Sequence, residues 1–463
     1  MSGKDQLKLD YSDVPTDIPT THVDALPAPS EISDGDVFVI RNHQSRYLTH
    51  TFHKYAGKFI PEIPRWAFRS YVDEMTEALI VDPFVGSGTT LVEASLAGGR
   101  SVGVDVDPLA RLIAKVKITP IEPDLLSDSV EAILNAVDLA EATDLRPTIP
   151  TLNHWFSEAA VDDLSAIRGL IERYRDHPDL YDFLFVSFSA ILRRASNADN
   201  QTMKTYVSHT HVKRQENARE LFKSVLRDYA DRMQKYSALR CATSEQVLLN
   251  GADARSLGDD WHASGLPFAD LGVTSPPYIK SVDYLYNQMA ELFWVGDRWD
   301  LETQPKQNAF KRRYMGTEKV DPKATYFGKS GDVPNTSKWI EEVNGRNAKL
   351  GSVAAKYFSD TIAHFRSMSR ILKPGAKYVY VVGDSTLGGV AVPTHRLIVE
   401  CARATGFDLC LCFGYEIRNK HMRFPRAGNG GQVVHDWVLV FEQAGALRGR
   451  RAAKFDGDRH IEP

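Results

Sequence analysis

Two short stretches of this chain carry residue types that could do chemistry together. The first is Asp82-Pro83-Phe84-Val85-Gly86-Ser87-Gly88-Thr89-Thr90. Its glycines stand where a backbone must turn sharply at a strand end and come close to a ligand. A GxG opening a helix is neither the GxxxxGK loop that cradles phosphates in NTPases nor the three-glycine fingerprint of a dinucleotide site. About twenty residues on, Asp105 closes a second apolar run, where a carboxylate can accept from both hydroxyls of a ribose. Asp253 ends a third, where it or the adjoining backbone could meet an adenine edge. Alone, the GxG would be an ordinary tight turn and the acids solvated strand ends; the combination favours a nucleoside-type cofactor.

The second stretch, Thr274-Ser275-Pro276-Pro277-Tyr278, also follows an apolar run. Two prolines remove two N–H donors and stiffen the loop, leaving carbonyls outward. The Ser275 hydroxyl and the Pro276 carbonyl then offer acceptors to an exocyclic amine, and Tyr278 offers a face on which a base can stack. A rigid turn with Tyr in the core is the plain alternative; it loses weight downstream of the first stretch in the same sheet.

Such loops need a parallel α/β sheet to hold them. From Ala78 the chain alternates between the strand ALIVDPF, a Gly-rich turn and helix GSGTTLVEASLAGG, the strand SVGVDVD, and a helix opened by Pro108. The alternation resumes with QVLLNGADA and FADLGVTSPPY. It continues through a helix bearing Val353, Tyr357, Phe365 and Met368, the strand AKYVYVVGD, a helix from Pro393 to Ala404, and the strands FDLCLCFGY and HDWVLVFEQ. That makes seven strands, mostly parallel, with helices on both faces. Two stretches interrupt them. Residues 121–245 read as a helical insertion, with Val161, Leu164, Ile167 and Ile171 on one face and a buried helix over 183–192. Residues 281–350, rich in Tyr, Lys, Arg and Asn, read as a second, basic insertion. This divides the chain into a flexible N-terminal arm (1–45), a cofactor-binding half (46–120), the helical insertion, a catalytic half (246–280 and 351–443) with the basic insertion inside it, and a tail (444–463).

Composition narrows the functions. With 463 residues, 25% of them charged, and a formal charge of −4, the protein is neither disordered overall nor uniformly basic, so any nucleic-acid surface must be a local patch. Cys241, Cys401, Cys410 and Cys412 form no CxxC pair, and no HxxxH spacing stands near a carboxylate, so no metal is expected. No apolar h-region opens the chain and no run spans a bilayer; a soluble, cytoplasmic protein without membrane contact is expected.

DPFVGSGTT with VGVDVDP, and TSPPY, resemble the motifs of S-adenosylmethionine-dependent amino-methyltransferases acting on DNA, specifically the N4-cytosine group. Ser275 matches the serine form of the catalytic motif; adenine-N6 enzymes usually carry Asp or Asn there. HKYAGKFIPEIPRWAF, residues 53–68, is similar to the segment that packs over the methionine part of the cofactor, which nominates Tyr55, Lys58 and Phe59. The resemblance covers about 48–118 and 246–442, with the cofactor half leading, the reverse of the commonest N4-cytosine order. It implies a Rossmann-like class I methyltransferase fold. S-adenosylmethionine would be held by Tyr55, Lys58, Phe59, Asp82, Phe84, Gly86, Gly88, Thr89, Asp105 and Asp253, with Ser275, Pro276, Pro277 and Tyr278 at the transferred methyl. RNA guanine-N2 methyltransferases share a DPF-GxG turn and a later xPPY, and a catalytically inactive DNA-binding subunit is a further alternative.

Double-stranded DNA is the partner the resemblance implies, with a cognate restriction endonuclease or other defence protein alongside. Charge is segregated to suit it: residues 121–192 hold 14 acids against 4 bases, residues 193–240 hold 11 bases against 5 acids. Arg193 and Arg194, then Lys311, Arg312 and Arg313 in the second insertion, and Arg418 and Arg423 near the sheet rim are the candidate DNA contacts. Asp283 and Tyr284, just after the TSPPY loop, are candidate pocket residues.

Overall fold

The computed structural model describes residues 19–41, 43, 46–200, 204–208, 213, 215–280, 283–321, 333–416 and 435–444. Nine strands form one sheet, two more than the seven expected. In chain order they are β1 (Thr20–Val23), β2 (Val37–Ile40), β3 (Leu79–Asp82), β4 (Arg100–Gly103), β5 (Gln246–Leu248), β6 (Ala269–Thr274), β7 (Leu372–Val382), β10 (Phe407–Glu416) and β11 (His435–Gln443); β8 (Ser385–Leu387) and β9 (Val390–Val392) pair separately. The sheet order is β1-β2-β10-β11-β7-β6-β3-β4-β5, and every pairing is parallel except those of β11 with β7 and β10.

Leaving β1 and β2 aside, this is the doubly wound, Rossmann-like order of class I methyltransferases, with one reversed strand near the edge. The two additional strands come from the stretch expected to be a flexible arm. Val37, Phe38, Val39 and Ile40 are all buried, and Gly414↔Val37 and Tyr415↔Phe38 extend the sheet past β10. A four-residue run, VFVI, was too short to stand out against its polar surroundings. It was decided by an open strand edge that needed covering. Residues 1–18 lie outside the described chain.

Period-two alternation places residues on the two faces. Leu79, Val81, Tyr378, Tyr380 and Val382 face one core, Ile80, Leu271, Val273, Val379 and Val381 the other. The second face is sealed by α1 (Glu62–Tyr71), whose Trp66 and Phe68 are buried; Trp66 meets Phe413 edge-on at 5.1 Å. Burying each such ring stabilises the fold by roughly 1.5–3 kcal/mol. The helices α2 (Thr89–Ala97) and α3 (Pro108–Ile118) connect the leading strands.

The chain between β4 and β5 carries the expected helical insertion: α4 (Pro123–Ala136), α5 (Leu152–Trp155), α6 (Glu158–Ile171), α7 (Pro178–Ala195) and α8 (Ala218–Leu239). Val161, Leu164, Ile167 and Ile171 of α6 are buried, and α7 is apolar nearly all round because it runs through the middle of this core. A short α9 (Leu257–Ala263) precedes β6. The second insertion is more helical than its composition suggested, with α10 (Tyr284–Asn287), α11 (Met289–Val295), α12 (Gln304–Phe310) and α13 (Pro334–Arg346). The run from Met289 to Val295 is wholly buried against the first insertion's core, so packing rather than helical period defines it. Finally α14 (Ala348–Met368) and α15 (Thr394–Arg403) cover the first face of the sheet.

Candidate active site

The chain leaves β3 toward β4 and β5 on one side, then returns to β6 and β7 on the other. The carboxyl ends of β3 and β6 are therefore neighbours at the point where the winding reverses, which is where an open α/β sheet forms its ligand crevice. DPFVGSG follows β3, TSPPY follows β6, and the pairs Ile80↔Leu271 and Val81↔Gly272 tie the strands together.

Asp82 fastens the two loops. Fully buried, it accepts from the Thr90 hydroxyl at 2.6 Å, the Thr274 hydroxyl at 2.6 Å and the Phe84 N–H at 3.1 Å. Burial lifts its carboxyl to about 6, against the opposing pull of these donors. Asp82 was expected to bind cofactor; the structure places it beneath the cavity, holding together the loops that form it.

One cavity is lined by both halves: Tyr55, Lys58, Phe59, Phe84, Gly86, Thr89, Asp105, Asp253, Ser275 and Pro277 among the expected residues. Gly86 and Gly88 show why glycine stands there. Both have positive φ (+47° and +84°); a Cβ on Gly86 would lie 3.1 Å from the Tyr55 ring, and one on Gly88 would lie 3.0 Å from the Ala114 Cβ. Gly88 thus seats α2 against α3 and does not itself line the cavity.

At the end of β4 the Asp105 carboxylate accepts from the Gly86 N–H at 2.9 Å and the Asp107 N–H at 2.8 Å. Burial, then the neighbouring charge of Asp107, raise it to about 7. Asp253 is different. Although it lines the cavity, Arg255 engages both its oxygens, at 2.9 and 2.5 Å, and its carboxyl is depressed. That leaves the backbone beside it as the part available to a ligand edge. Lys58 donates to the His50 carbonyl at 3.0 Å, which ties the segment after Phe52 back onto the turn that precedes it.

In the TSPPY loop, Ser275 and Pro277 line the cavity, while Pro276 is buried and Tyr278 half-buried on the sheet-face core. The Tyr278 hydroxyl donates to Asp436 of β11 at 2.6 Å, and Tyr415 of β10 donates to the other Asp436 oxygen at 3.1 Å. Burial and then the Asp436 charge hold the Tyr278 hydroxyl protonated, and burial lifts Asp436 to about 6. The ring is thereby fixed in orientation by strands far along the chain.

Several cavity residues carried no motif. Ser87 has a buried hydroxyl without a partner; Arg255 follows Asp253 by two; Arg313, Tyr314 and Met315 arrive from the second insertion. Tyr284 lies between Tyr55 and Tyr314 in a stack of rings 5.6 and 5.9 Å apart. Tyr284 lines the cavity as expected from its place just after the TSPPY loop, and Ser87 sits inside the GxG; Arg255, Arg313, Tyr314 and Met315 arrive by folding.

The expected DNA contacts scatter. Arg193 is 8% exposed and donates to the Asp199 and Lys204 carbonyls, so it braces the segment after α7. Arg194 is exposed and paired with Glu216. Lys311 pairs with Asp283 at 2.7 Å, Arg312 is exposed, and Arg313, also exposed, lines the cavity between the two motif loops. Arg418 and Arg423 lie outside the described residues. Among the described residues no cluster of His, Cys, Asp and Glu could hold a metal ion, and no helix is long and apolar enough to cross a membrane.

No family model matches the chain. It is similar to the Type II methyltransferase M.MvaI of Kocuria varians, 25% identical over 418 residues, covering 85% of this chain and 89% of that protein. It is also similar to the Type II methyltransferase M.BsoBI of Geobacillus stearothermophilus, 24% identical over 414 residues, covering 79% and 80%. Among solved structures, TrmN from Thermus thermophilus matches 84% of this chain and 50% of that one, at 12% identity and a TM-score of 0.29.

Proposed function

We propose that this protein is an S-adenosylmethionine-dependent DNA methyltransferase that modifies the exocyclic N4 amine of cytosine in double-stranded DNA. The observation that carries the reading is the meeting of the GxG loop after β3 and the Ser-Pro-Pro-Tyr loop after β6 in one cavity. Long similarity to two Type II methyltransferases supports it.

The cavity suits the cofactor on its own chemistry. Asp105 presents a carboxylate to ribose hydroxyls, and Phe84 gives an adenine an aromatic edge. The unpartnered Ser87 hydroxyl and the start of α2 suit the polar methionine end. Tyr55 and Tyr284 give a sulfonium cation aromatic neighbours. Bound there, S-adenosylmethionine supplies an electrophilic methyl group.

The chain's part is orientation. A cytosine amine is a poor nucleophile because its lone pair is conjugated into the ring. The Ser275 hydroxyl and the Pro276 carbonyl accept its hydrogens and turn that lone pair out of the ring. Tyr278, held by Asp436, stacks on the base. No cysteine follows the prolines, so attack on a ring carbon has no nucleophile here. Much of the rate enhancement is then near-attack positioning, and the base must leave the duplex to reach the loop. Ser275, where adenine enzymes usually carry Asp or Asn, favours cytosine. A companion restriction endonuclease fits a modification enzyme of this kind.

Modified-base sequencing of DNA from a host expressing the protein tests this, with transfer of labelled methyl to DNA and to tRNA in vitro. N4-methylcytosine in one sequence context is the expected result. N6-methyladenine or methylated tRNA overturns the substrate assignment, and no transfer overturns the activity.

A further inference from the structure

A second cavity, of about 280 Å³, lies on the far side of Tyr284, which lines both. Its other walls come from three places: His53 and Lys54 at the start of the segment 53–68, Arg193 and Arg194 at the end of α7, and Asn287, Gln288 and Glu291 of the second insertion. No residue of the TSPPY loop reaches it, so it is not the chamber of methyl transfer.

Its chemistry is unusual for an interior surface. Glu291 and Gln288 are each 6% exposed, and the Glu291 Oε2 and Gln288 Oε1 atoms have no hydrogen-bond partner. Leaving two acceptors buried and unmet costs about 1–3 kcal/mol each, a cost that a ligand with two donors would remove. Lys54 and Arg194 are exposed at the rim, so the same ligand can carry a phosphate. The space far exceeds the roughly 10–15 Å³ that one water requires.

A nucleotide is one ligand that joins a planar group with two donors to a phosphate, and its base can be chosen by counting donors. Guanine alone presents N1–H and N2–H on one edge; cytosine and adenine offer a single amine there, thymine a single imide. That edge is exposed only when guanine is unpaired. Removing a cytosine from the stack leaves its partner guanine in that state.

We propose that this cavity receives the guanine left unpaired when the target cytosine is extruded, with Glu291 and Gln288 accepting from its N1–H and N2–H, and Lys54 and Arg194 at its phosphate. The inference rests on the cytosine reading above and deepens it. Burial lifts the Glu291 carboxyl to about 7, while the nearby cations Arg193 and Lys54 oppose that rise. Glu291 therefore accepts best above neutral pH.

The test uses the full chain and two duplexes that differ only opposite the methylated cytosine, one with guanine and one with inosine, which lacks the 2-amino group. For the wild type, kcat/KM is expected to fall about tenfold or more on inosine, although the weaker pair should ease extrusion. Gln288→Leu, which removes the acceptor of the 2-amino group, should lower kcat/KM on the guanine duplex and no longer distinguish the two, with labelled-cofactor affinity within about twofold of wild type. Glu291→Leu, which removes the acceptor of N1–H, a donor both bases keep, should lower kcat/KM on both duplexes alike. Wild-type rates within twofold on the two duplexes, or a Gln288→Leu variant that discriminates as wild type does, overturn this proposal alone. A wild-type product without N4-methylcytosine overturns the underlying reading and this proposal with it.

Discussion

Ser275 and Asp105 divide the work of the cavity, and two measurements separate them. On the proposed reading, Ser275→Ala removes an acceptor for the amine and leaves Asp105 and the Gly loop in place. Turnover is expected to fall by about a hundredfold, in the range of losing one oriented polar group in a transition state, with cofactor affinity unchanged in equilibrium dialysis. With Asp105 at the ribose, as proposed, cofactor affinity should depend on pH. Ribose hydroxyls donate, so the ionised carboxylate is the binding form, and this carboxyl sits near 7 because of burial and Asp107. As pH falls below 7 protonation competes, and affinity should drop by about tenfold per pH unit; above 7 it should be flat. Titration calorimetry from pH 5.5 to 8.5 reads this directly, and Asp105→Asn should be weak at every pH. A profile that strengthens toward acid pH would remove Asp105 from the ribose.

Between elements, the link that matters runs from β3 to β6 through Asp82. Thr274→Val keeps the shape of the strand and deletes one of the donors to a buried carboxylate. A destabilisation of about 1–3 kcal/mol is expected in urea unfolding, with turnover reduced because the two loops lose their common anchor. Both motif loops were legible from the strand–turn–helix alternation, and so were the strands beneath them. The Thr274 partnership was not, because it crosses 192 residues of sequence. The same holds for Tyr278, whose orientation depends on Asp436, and for β2, whose burial depends on β10. Asp82 itself read as a ligand-binding acid from its motif; only the positions of two threonine hydroxyls turn it into a clasp.

Across the whole molecule, a body of net charge −4 must meet a polyanion through local patches. The exposed candidates among the described residues are Arg194, Arg312 and Arg313; Arg313 lines the cavity between the two motif loops, which leaves Arg194 and Arg312, one on each insertion. Replacing both with alanine should lower the slope of log affinity against log salt by about one to two units, since each phosphate contact contributes roughly 0.9. Fluorescence anisotropy with duplex DNA over a salt series measures it, and an unaltered slope places the phosphate contacts elsewhere. Charge counting could point to whole segments but not to single residues. Arg193 and Arg313 belong to the same basic runs, yet one braces backbone carbonyls and the other lines the cavity between the two motif loops.

By itself the sequence determined what local chemistry dictates: a parallel α/β sheet, glycines where backbone must approach a ligand, a stiff Ser-Pro-Pro-Tyr loop, and two insertions between strands. These follow from dihedral limits, side-chain period and donor count, which act over a few residues. Only the tertiary structure decided what depends on distance along the chain. The sheet gained two edge strands, Asp82 became a clasp, and Tyr284 came to divide two cavities. Each of these is settled by burial of groups that meet only after the sheet closes, and no short window of residues contains both partners.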